Sequence, residues 1–419
     1  MYNNSKPSSG FKNFGSNTNY RSRAGGSSGG TKSWFKRGPA KWAKPKKAGF
    51  GEYIDTNLFI RKATPVVKIE ETITVNSFAD FGMDATLLAN VVSKGYIKPT
   101  PIQDQTIPEV MKGRDVLGIA NTGTGKTAAF ALPLINEIIK NPNKKVIILA
   151  PTRELAMQIR QEFRTFTPNL KVYMALAIGG AFIREQIIDI RRGPHIIIGT
   201  PGRIKDLGQR KVIDFTKLNT VVLDEVDRML DMGFIEDIRH IMNQIPKTRQ
   251  TLFFSATTNK KVEVLIDTLL TDPVKVSVKT QDSSSHVEQN IVQVPRHEKE
   301  NKLQELLAKE EFKKVLVFGA TQMMVERISV NLSTKGFKVA SLHGGKPQNK
   351  RQAVVRMFKE NVINILVATD VAARGLDIAD ITHVINFDKP NNYDDYCHRI
   401  GRTGRGDAMG YALTFVDGR

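Results

Sequence analysis

The sequence contains a single cysteine, Cys397, which excludes intrachain disulfides and cysteine-built zinc sites. Its two tryptophans, Trp34 and Trp42, both fall in the first fifty residues, so neither belongs to a readable core. No run reaches the ~18–20 apolar residues that a membrane span needs. The opening Met1-Tyr2-Asn3-Asn4-Ser5-Lys6 lacks the apolar stretch of an export signal. No short-period repeat is present, which argues against a solenoid or propeller. Acidic residues are missing where they would be most noticed: residues 1–50 hold eleven Lys or Arg and no Asp or Glu. Together these absences imply a reducing, cytoplasmic setting and no membrane span.

The 419 residues allow two or three domains, and the formal net charge is +20, more than half of it from those first fifty residues. A basic arm on a mildly basic body calls for a polyanionic partner such as nucleic acid or a membrane surface, and charge alone does not choose between them. Residues 1–51 read as a disordered basic tail of Gly, Ser and Asn with isolated aromatics. Such a tail is suited to holding a single strand through phosphate contacts and base stacking, or merely to keeping the chain soluble. Residues 52–76 form a connecting segment with enough apolar side chains, Tyr53 to Ile60, to dock somewhere.

From 77 to 278 strand and helix patterns alternate, with strands expected at 115–120, 146–150, 172–178, 195–199, 220–224 and 250–254. Amphipathic helices are expected over 153–166 and 225–243. Continuous apolar strands alternating with helices imply a parallel sheet covered on both faces. The Ser-rich stretch at 279–287 reads as a linker. A second series fills 288–419, with strands near 291–294, 315–318, 338–342, 364–368, 382–387 and 410–415. Two α/β halves joined by a hinge leave a cleft between them.

The stretch Asp115 to Thr127 is the most informative. An apolar strand turns into Asn121-Thr122-Gly123-Thr124-Gly125 and then into a helix opening with Lys126-Thr127, the layout of a phosphate-binding loop. Gly123 and Gly125 free backbone N–H groups to curl around an anion, and the helix N-terminus adds its dipole. Lys126 would reach the terminal phosphates and the Thr127 hydroxyl would hold Mg²⁺. The pattern's first glycine is Ala120 here. Downstream, Asp224-Glu225-Val226-Asp227 follows the apolar run Thr220 to Leu223, where open α/β sheets bind ligands. In a phosphate-loop protein the first acid, Asp224, holds the metal and Glu225 activates a water.

These motifs, with those between Phe78 and Arg405 in the same order, resemble the DEAD-box RNA helicases, ATP-dependent remodellers with two tandem RecA-like domains. The stretch Gly95 to Gln103 resembles the family's adenine-reading motif, which implies that Gln103 reads the adenine edge and Phe78 stacks on its ring. The resemblance implies first-domain RNA contacts from Pro151, Thr152, Arg153, Gly180, Thr200, Pro201, Gly202 and Arg203. Ser255-Ala256-Thr257 corresponds to the coupling motif, working with Asp227 and His398. In the second half it implies Thr321, Gly344, Arg351 and Thr369 on RNA, with Asp377 near the ribose. His398-Arg399-Ile400-Gly401-Arg402-Thr403-Gly404-Arg405 is spaced so that one helical turn would present His398, Arg402 and Arg405 together. Arg402 and Arg405 then take the arginine-finger role on the γ-phosphate.

The implied activity is ATP hydrolysis with Mg²⁺, stimulated by RNA bound largely without regard to sequence. A DNA helicase of the same superfamily and a turnover-independent RNA chaperone remain the alternatives. Protein partners are not readable. Two departures stand out. Val226 replaces the family's alanine, and its two extra methyls cost ~1–3 kcal/mol if the fit is poor. The chain also stops at Arg419, where relatives usually continue with another helix, so a less stable second domain or a fragment is expected.

Overall fold

The computed structural model describes residues 56–63, 74–121, 123–258, 260–278, 286–373, 378, 380–404 and 408–418. The tail at 1–51, most of the linker at 279–287, and the site residues Thr122, Asp377 and Arg405 lie outside the described residues.

Two parallel sheets organise the chain. The first comprises β1 (Val116–Ile119), β2 (Val146–Leu149), β3 (Met174–Ala177), β4 (Ile196–Gly199), β5 (Thr220–Leu223), β6 (Gln250–Ser255) and β7 (Val274–Ser277) in the order β3-β4-β2-β5-β6-β1-β7. The second comprises β8 (Val287–Val294), β9 (Val315–Phe318), β10 (Val339–Leu342), β11 (Ile365–Ala368), β12 (His383–Asn386) and β13 (Gly410–Asp417) in the order β10-β11-β9-β12-β13-β8. Every pairing within them is parallel.

The continuous apolar strands have the reason expected of them. In β2, Val146 and Ile148 enter the core on one face while Ile147 and Leu149 enter the core on the other. In β11, Ile365 and Val367 face one layer and Leu366 and Ala368 the other. Side chains alternate along a strand, so only a sheet covered by helices on both faces buries all four residues. No helix among the described residues is long and apolar enough to cross a membrane.

Three expectations need correction. β7 was not foreseen, because Val274-Lys275-Val276-Ser277 alternates with polar residues and follows a Pro. The single helix expected over 225–243 is two helices, Val226–Asp231 and Ile235–Met242, broken where Gly233 takes φ 78°. Val287, assigned to the linker, opens β8, which begins four residues before the expected 291.

Candidate active site and nucleic-acid interface

Strand order builds the nucleotide side. β6 lies between β1 and β5, so the loops leaving their C-terminal ends are neighbours: the glycine loop, Ser255–Thr257 and the Asp224–Asp227 acids. After β1 the chain turns through Gly123 (φ 88°) and Gly125 (φ 90°), conformations a side chain resists, into the helix Lys126–Lys140. Gly125 caps that helix without a side-chain bond to its first amides, which leaves them facing an incoming anion. Lys126 is buried and donates to the carbonyl of Ala120. Thr127 follows it in the first helical turn. Thr124 Oγ1 donates to Asn121 O at 2.8 Å, and Thr100 Oγ1 donates to Thr124 O at 2.9 Å, so the loop is tied at both ends.

Gln103 is fully enclosed, and both ends of its amide are engaged. Its Oε1 accepts from Thr100 N at 2.9 Å and its Nε2 donates to Gly125 O at 3.1 Å. Gln103 therefore staples the helix Pro101–Met111 to the phosphate loop. Phe78, expected on the adenine ring, is 2% exposed here and packs edge-on against Phe81 and Tyr96 at 6.1 and 6.2 Å. Tyr96, whose hydroxyl donates to Glu162 Oε1 at 2.7 Å, is the aromatic of that stretch that keeps some exposed surface.

The acids after β5 are buried together. Glu225 takes a left-handed backbone (φ 50°), unusual for a residue with a side chain and common at functional sites. Burial pushes the Asp224 carboxyl up to about 7; Lys126 opposes that rise, and the charges of Glu225 and Asp227 add to it. Glu225 Oε2 lies 3.3 Å from Arg228 Nη1, an ion pair without hydrogen-bond alignment. Asp227 Oδ2 accepts from Ala256 N at 3.1 Å, Thr257 N at 3.0 Å and Thr257 Oγ1 at 3.2 Å. Ser255 Oγ donates to Thr257 O at 2.8 Å. Ala256 and Thr257 thus hold the last acid by one oxygen, and Ser255 in turn holds Thr257. Val226 is fully buried among Leu223, Met229 and their neighbours, so its extra methyls are accommodated within the core.

On the second sheet, the helix Tyr393–Ile400 carries His398 and Arg399 and ends before Arg402, so His398 and Arg402 do not share the expected helical turn; Arg405 lies outside the described residues. The Thr403 hydroxyl donates to the carbonyl of Ile381, and Gly404 takes a left-handed φ of 63°. Arg402 is 4% exposed and shares a small pocket with Phe318, Asp370, Asp395, His398 and Arg399. Arg399, which the spacing argument passed over, is the structural centre of that pocket. It grips Asp370 through two bonds of 2.6 and 2.7 Å, donates to Asp388 O at 2.7 Å and lies over the Phe318 ring.

A second cleft of about 430 Å³ has walls from both sheets: Pro151, Thr152, Arg153, Thr200, Gly202 and Arg203 from the first, and Gly344 and Arg351 from the second. The Arg153 guanidinium lies against Gly179 and Gly180, and a Cβ on Gly180 would overlap it. Arg203 Nη1 donates to Gln186 Oε1 at 2.9 Å. Pro201 is buried at the start of its helix. Thr321 spends its hydroxyl capping the helix Gln322–Thr334, and Thr369 is nearly buried with its amide on Leu342 O. None of these three lines the cleft. Arg351, expected on RNA, is 5% exposed and pairs with Glu154 Oε2 at 2.8 Å; the other oxygen of Glu154 accepts from Gln348 Nε2 at 3.1 Å. Its charge therefore goes first to a carboxylate on the opposite lobe. Glu154 was not singled out in the sequence, since nothing there relates residue 154 to residue 351. Burial pushes Arg203 and Arg351 below the usual arginine range; Asp206 and Glu154 respectively oppose the fall, and the Arg153 charge adds to it. An anion in the cleft would relieve both effects.

Residues 100–265 match the model of the DEAD/DEAH box helicase family, and residues 298–407 match that of the helicase conserved C-terminal domain. A protein of Limosilactobacillus reuteri named ATP-dependent RNA helicase CshA is 43% identical over 341 residues, covering 81% of this chain and 69% of its own length. A DEAD-box ATP-dependent RNA helicase CshA of Bacillus subtilis is 42% identical, over 82% of this chain and 70% of its own. The chain spans about two thirds of the length of the curated relatives it matches. Among solved structures, Dbp5 of S. cerevisiae bound to RNA and ADP BeF3 superposes with a TM-score of 0.73 at 28% identity, covering 82% of this chain and 90% of that one. Mss116p bound to ssRNA and AMP-PNP gives 0.74 at 27% identity, over 85% and 77%.

Proposed function

We propose a mechanism from one premise: the chain belongs to the family of DEAD-box ATP-dependent RNA helicases. It binds ATP on the first lobe and RNA across both, and ATP hydrolysis limits how long the lobes stay together on the strand. The phosphates of ATP enter the cradle of Gly123, Thr124 and Gly125, and Lys126 leaves the Ala120 carbonyl to meet them. Of the adenine-side residues, Gln103 holds the loop and Tyr96 is the ring with surface to offer.

The acid cluster fits a magnesium ion. Asp224 is buried with a raised affinity for its proton, so a cation in the proton's place relieves a real cost. No three His, Cys, Asp or Glu side chains form a metal cage among the described residues. Magnesium that brings phosphate and water ligands needs only one or two protein oxygens. Thr127 and Asp224 would supply them, and the bound ion would neutralise charge on the phosphate oxygens. Glu225 takes the proton of the attacking water, held at that position by its left-handed backbone. Arg402 from the second lobe, with Arg405 beyond it in sequence, balances the charge that develops on the γ-phosphate. His398 and Arg399 fix the pocket that holds Arg402, and Asp377 is assigned to the ribose.

One observation carries the coupling of RNA to ATP. Adjacent residues on one helical turn serve both: Arg153 lines the RNA cleft, and Glu154 holds Gln348 and Arg351 of the opposite lobe. A strand that settles against Arg153, Thr200 and Arg203 therefore settles the turn that fastens the lobes. Contacts to phosphate and ribose read little sequence, so the grip is sequence-tolerant. The enzyme is assigned to the cytoplasm, where ATP and RNA are both at hand.

The test is ATP turnover with and without single-stranded RNA, and with matched DNA, for wild type, Lys126→Ala and Glu225→Gln. RNA is expected to raise turnover, DNA not to, and both variants to lose about 10²–10⁴ of the stimulated rate. Equal stimulation by DNA, or duplex separation undiminished in Glu225→Gln, would contradict the proposal.

A further inference from the structure

A short described stretch that precedes the first sheet, Thr56–Arg61, packs on the second lobe. Thr56–Phe59 makes one turn of 3-10 helix and inserts Phe59, wholly buried, among Val287, Tyr396, Ile400 and Ala412. The rings of Phe59 and Tyr396 are 4.5 Å apart. Two residues on, Arg61 and Gln289 exchange backbone hydrogen bonds of 2.9 and 2.8 Å, an antiparallel bridge on the outer side of β8, the edge strand of its sheet. The Tyr396 hydroxyl donates to Gln289 Oε1 at 2.9 Å, which joins ring and bridge into one unit. Leu58 and Ile60 on either side are about half exposed, so Phe59 is the anchor.

Tyr396 and Ile400, four residues apart, form one face of the helix Tyr393–Ile400. His398 and Arg399 face the pocket that also holds Arg402. Two turns of helix have little stability of their own, so this element takes its position from what packs on each side. On the pocket side the Arg399–Asp370 pair holds it, and on the other side Phe59 does. Phe59 lies outside the stretches that the family models match, while the helix it grips lies inside them.

We propose that Phe59 is a positioning residue for ATP hydrolysis: the strap Thr56–Arg61 seats the helix Tyr393–Ile400 and thereby aims Arg402 at the phosphate. The proposal rests on the role given to Arg402 above. Cys397, the only cysteine, packs against the same apolar cluster and serves as a built-in reporter of the strap.

The experiment uses the full chain as wild type, Phe59→Ala, Phe59→Leu and Arg402→Ala. It measures the rate at which a maleimide modifies Cys397 and the RNA-stimulated turnover of ATP. In Phe59→Ala, labelling should quicken by about fivefold or more as local opening becomes easier. Its kcat should fall about tenfold with the KM for ATP within about twofold, the pattern of a lost transition-state contact. Phe59→Leu should recover most of both. Unchanged labelling in Phe59→Ala would overturn the strap. Faster labelling with unchanged kcat, or a fall in kcat matched by a raised KM and a lowered melting point, would overturn positioning in favour of plain packing. If Arg402→Ala turns over like wild type, the role of Arg402 falls and takes the link to chemistry with it, whereas the labelling of Phe59→Ala still reports on docking.

Discussion

Asp224 is costly to keep ionised where it sits. Burial raises its pKa from 3.8 to about 7, so the folded chain binds its proton more tightly than the unfolded chain does. The contribution of such a group is fully present below pH 3.8 and is lost as pH rises through 7. Asp224→Asn should therefore stabilise the nucleotide-free, metal-free protein at pH 8 by about 1–3 kcal/mol while abolishing turnover. Denaturant unfolding beside an ATPase assay would show it, and a destabilised variant would contradict it. His383 acts in the opposite sense and far from the chemistry. Sandwiched between Phe312 and Tyr411 at 4.0 and 5.0 Å, it is pushed by burial down to about 4, against a weak pull from Glu311. The folded state then binds its proton less tightly, so its contribution is present above pH 6.5 and is lost as pH falls toward 4. That is worth up to about 3 kcal/mol. His383→Phe should flatten stability against pH across that window, and an unaltered slope would refute the assignment. At this scale the sequence made residue types legible but not their surroundings. Phe78 and Tyr96 are both aromatics near Gln103, and only packing separates the buried ring from the one with surface.

Elements do the bringing together. Asp227 meets Ala256 and Thr257 because β6 runs beside β5, an order that periodicity alone does not give. Strand and helix were readable wherever both faces are buried, as in β2 and β11. They were misread where the signal was local: polar β7 after a proline, the Gly233 break, and the helix that stops at Ile400. The contact between Glu154 and Arg351 could not be read at all, since it joins two helices of different lobes. Removing one partner of a buried pair strands the other's charge, at a cost of about 3–5 kcal/mol when both are fully enclosed. Here the cost falls on lobe closure. Glu154→Ala should weaken RNA binding in the presence of a non-hydrolysable ATP analogue by about a hundredfold, ~3 kcal/mol, and change it little without nucleotide. Fluorescence anisotropy on a labelled single strand would measure it. Equal losses with and without nucleotide would place Glu154 in the RNA site alone.

Across the whole molecule, the two α/β series and the glycine loop were legible because each is a pattern of neighbours in sequence. The cleft, the Glu154–Arg351 pair and the Phe59 strap were not, because each brings together stretches that the sequence keeps apart. The segment at 52–76 had the apolar residues to dock, and of its described residues Thr56–Arg61 docks on the second lobe. In this account ATP and RNA are linked because each favours the same closed pair of lobes, the first supplying the cradle and the acids, the second the guanidinium. The most direct test is the steady-state rate of RNA-stimulated ATP hydrolysis by Arg402→Ala. A residue that acts from the second lobe only on the developing phosphate charge should lose about 10³-fold or more in kcat with the KM for ATP little changed. Turnover within a few-fold of wild type would contradict the account.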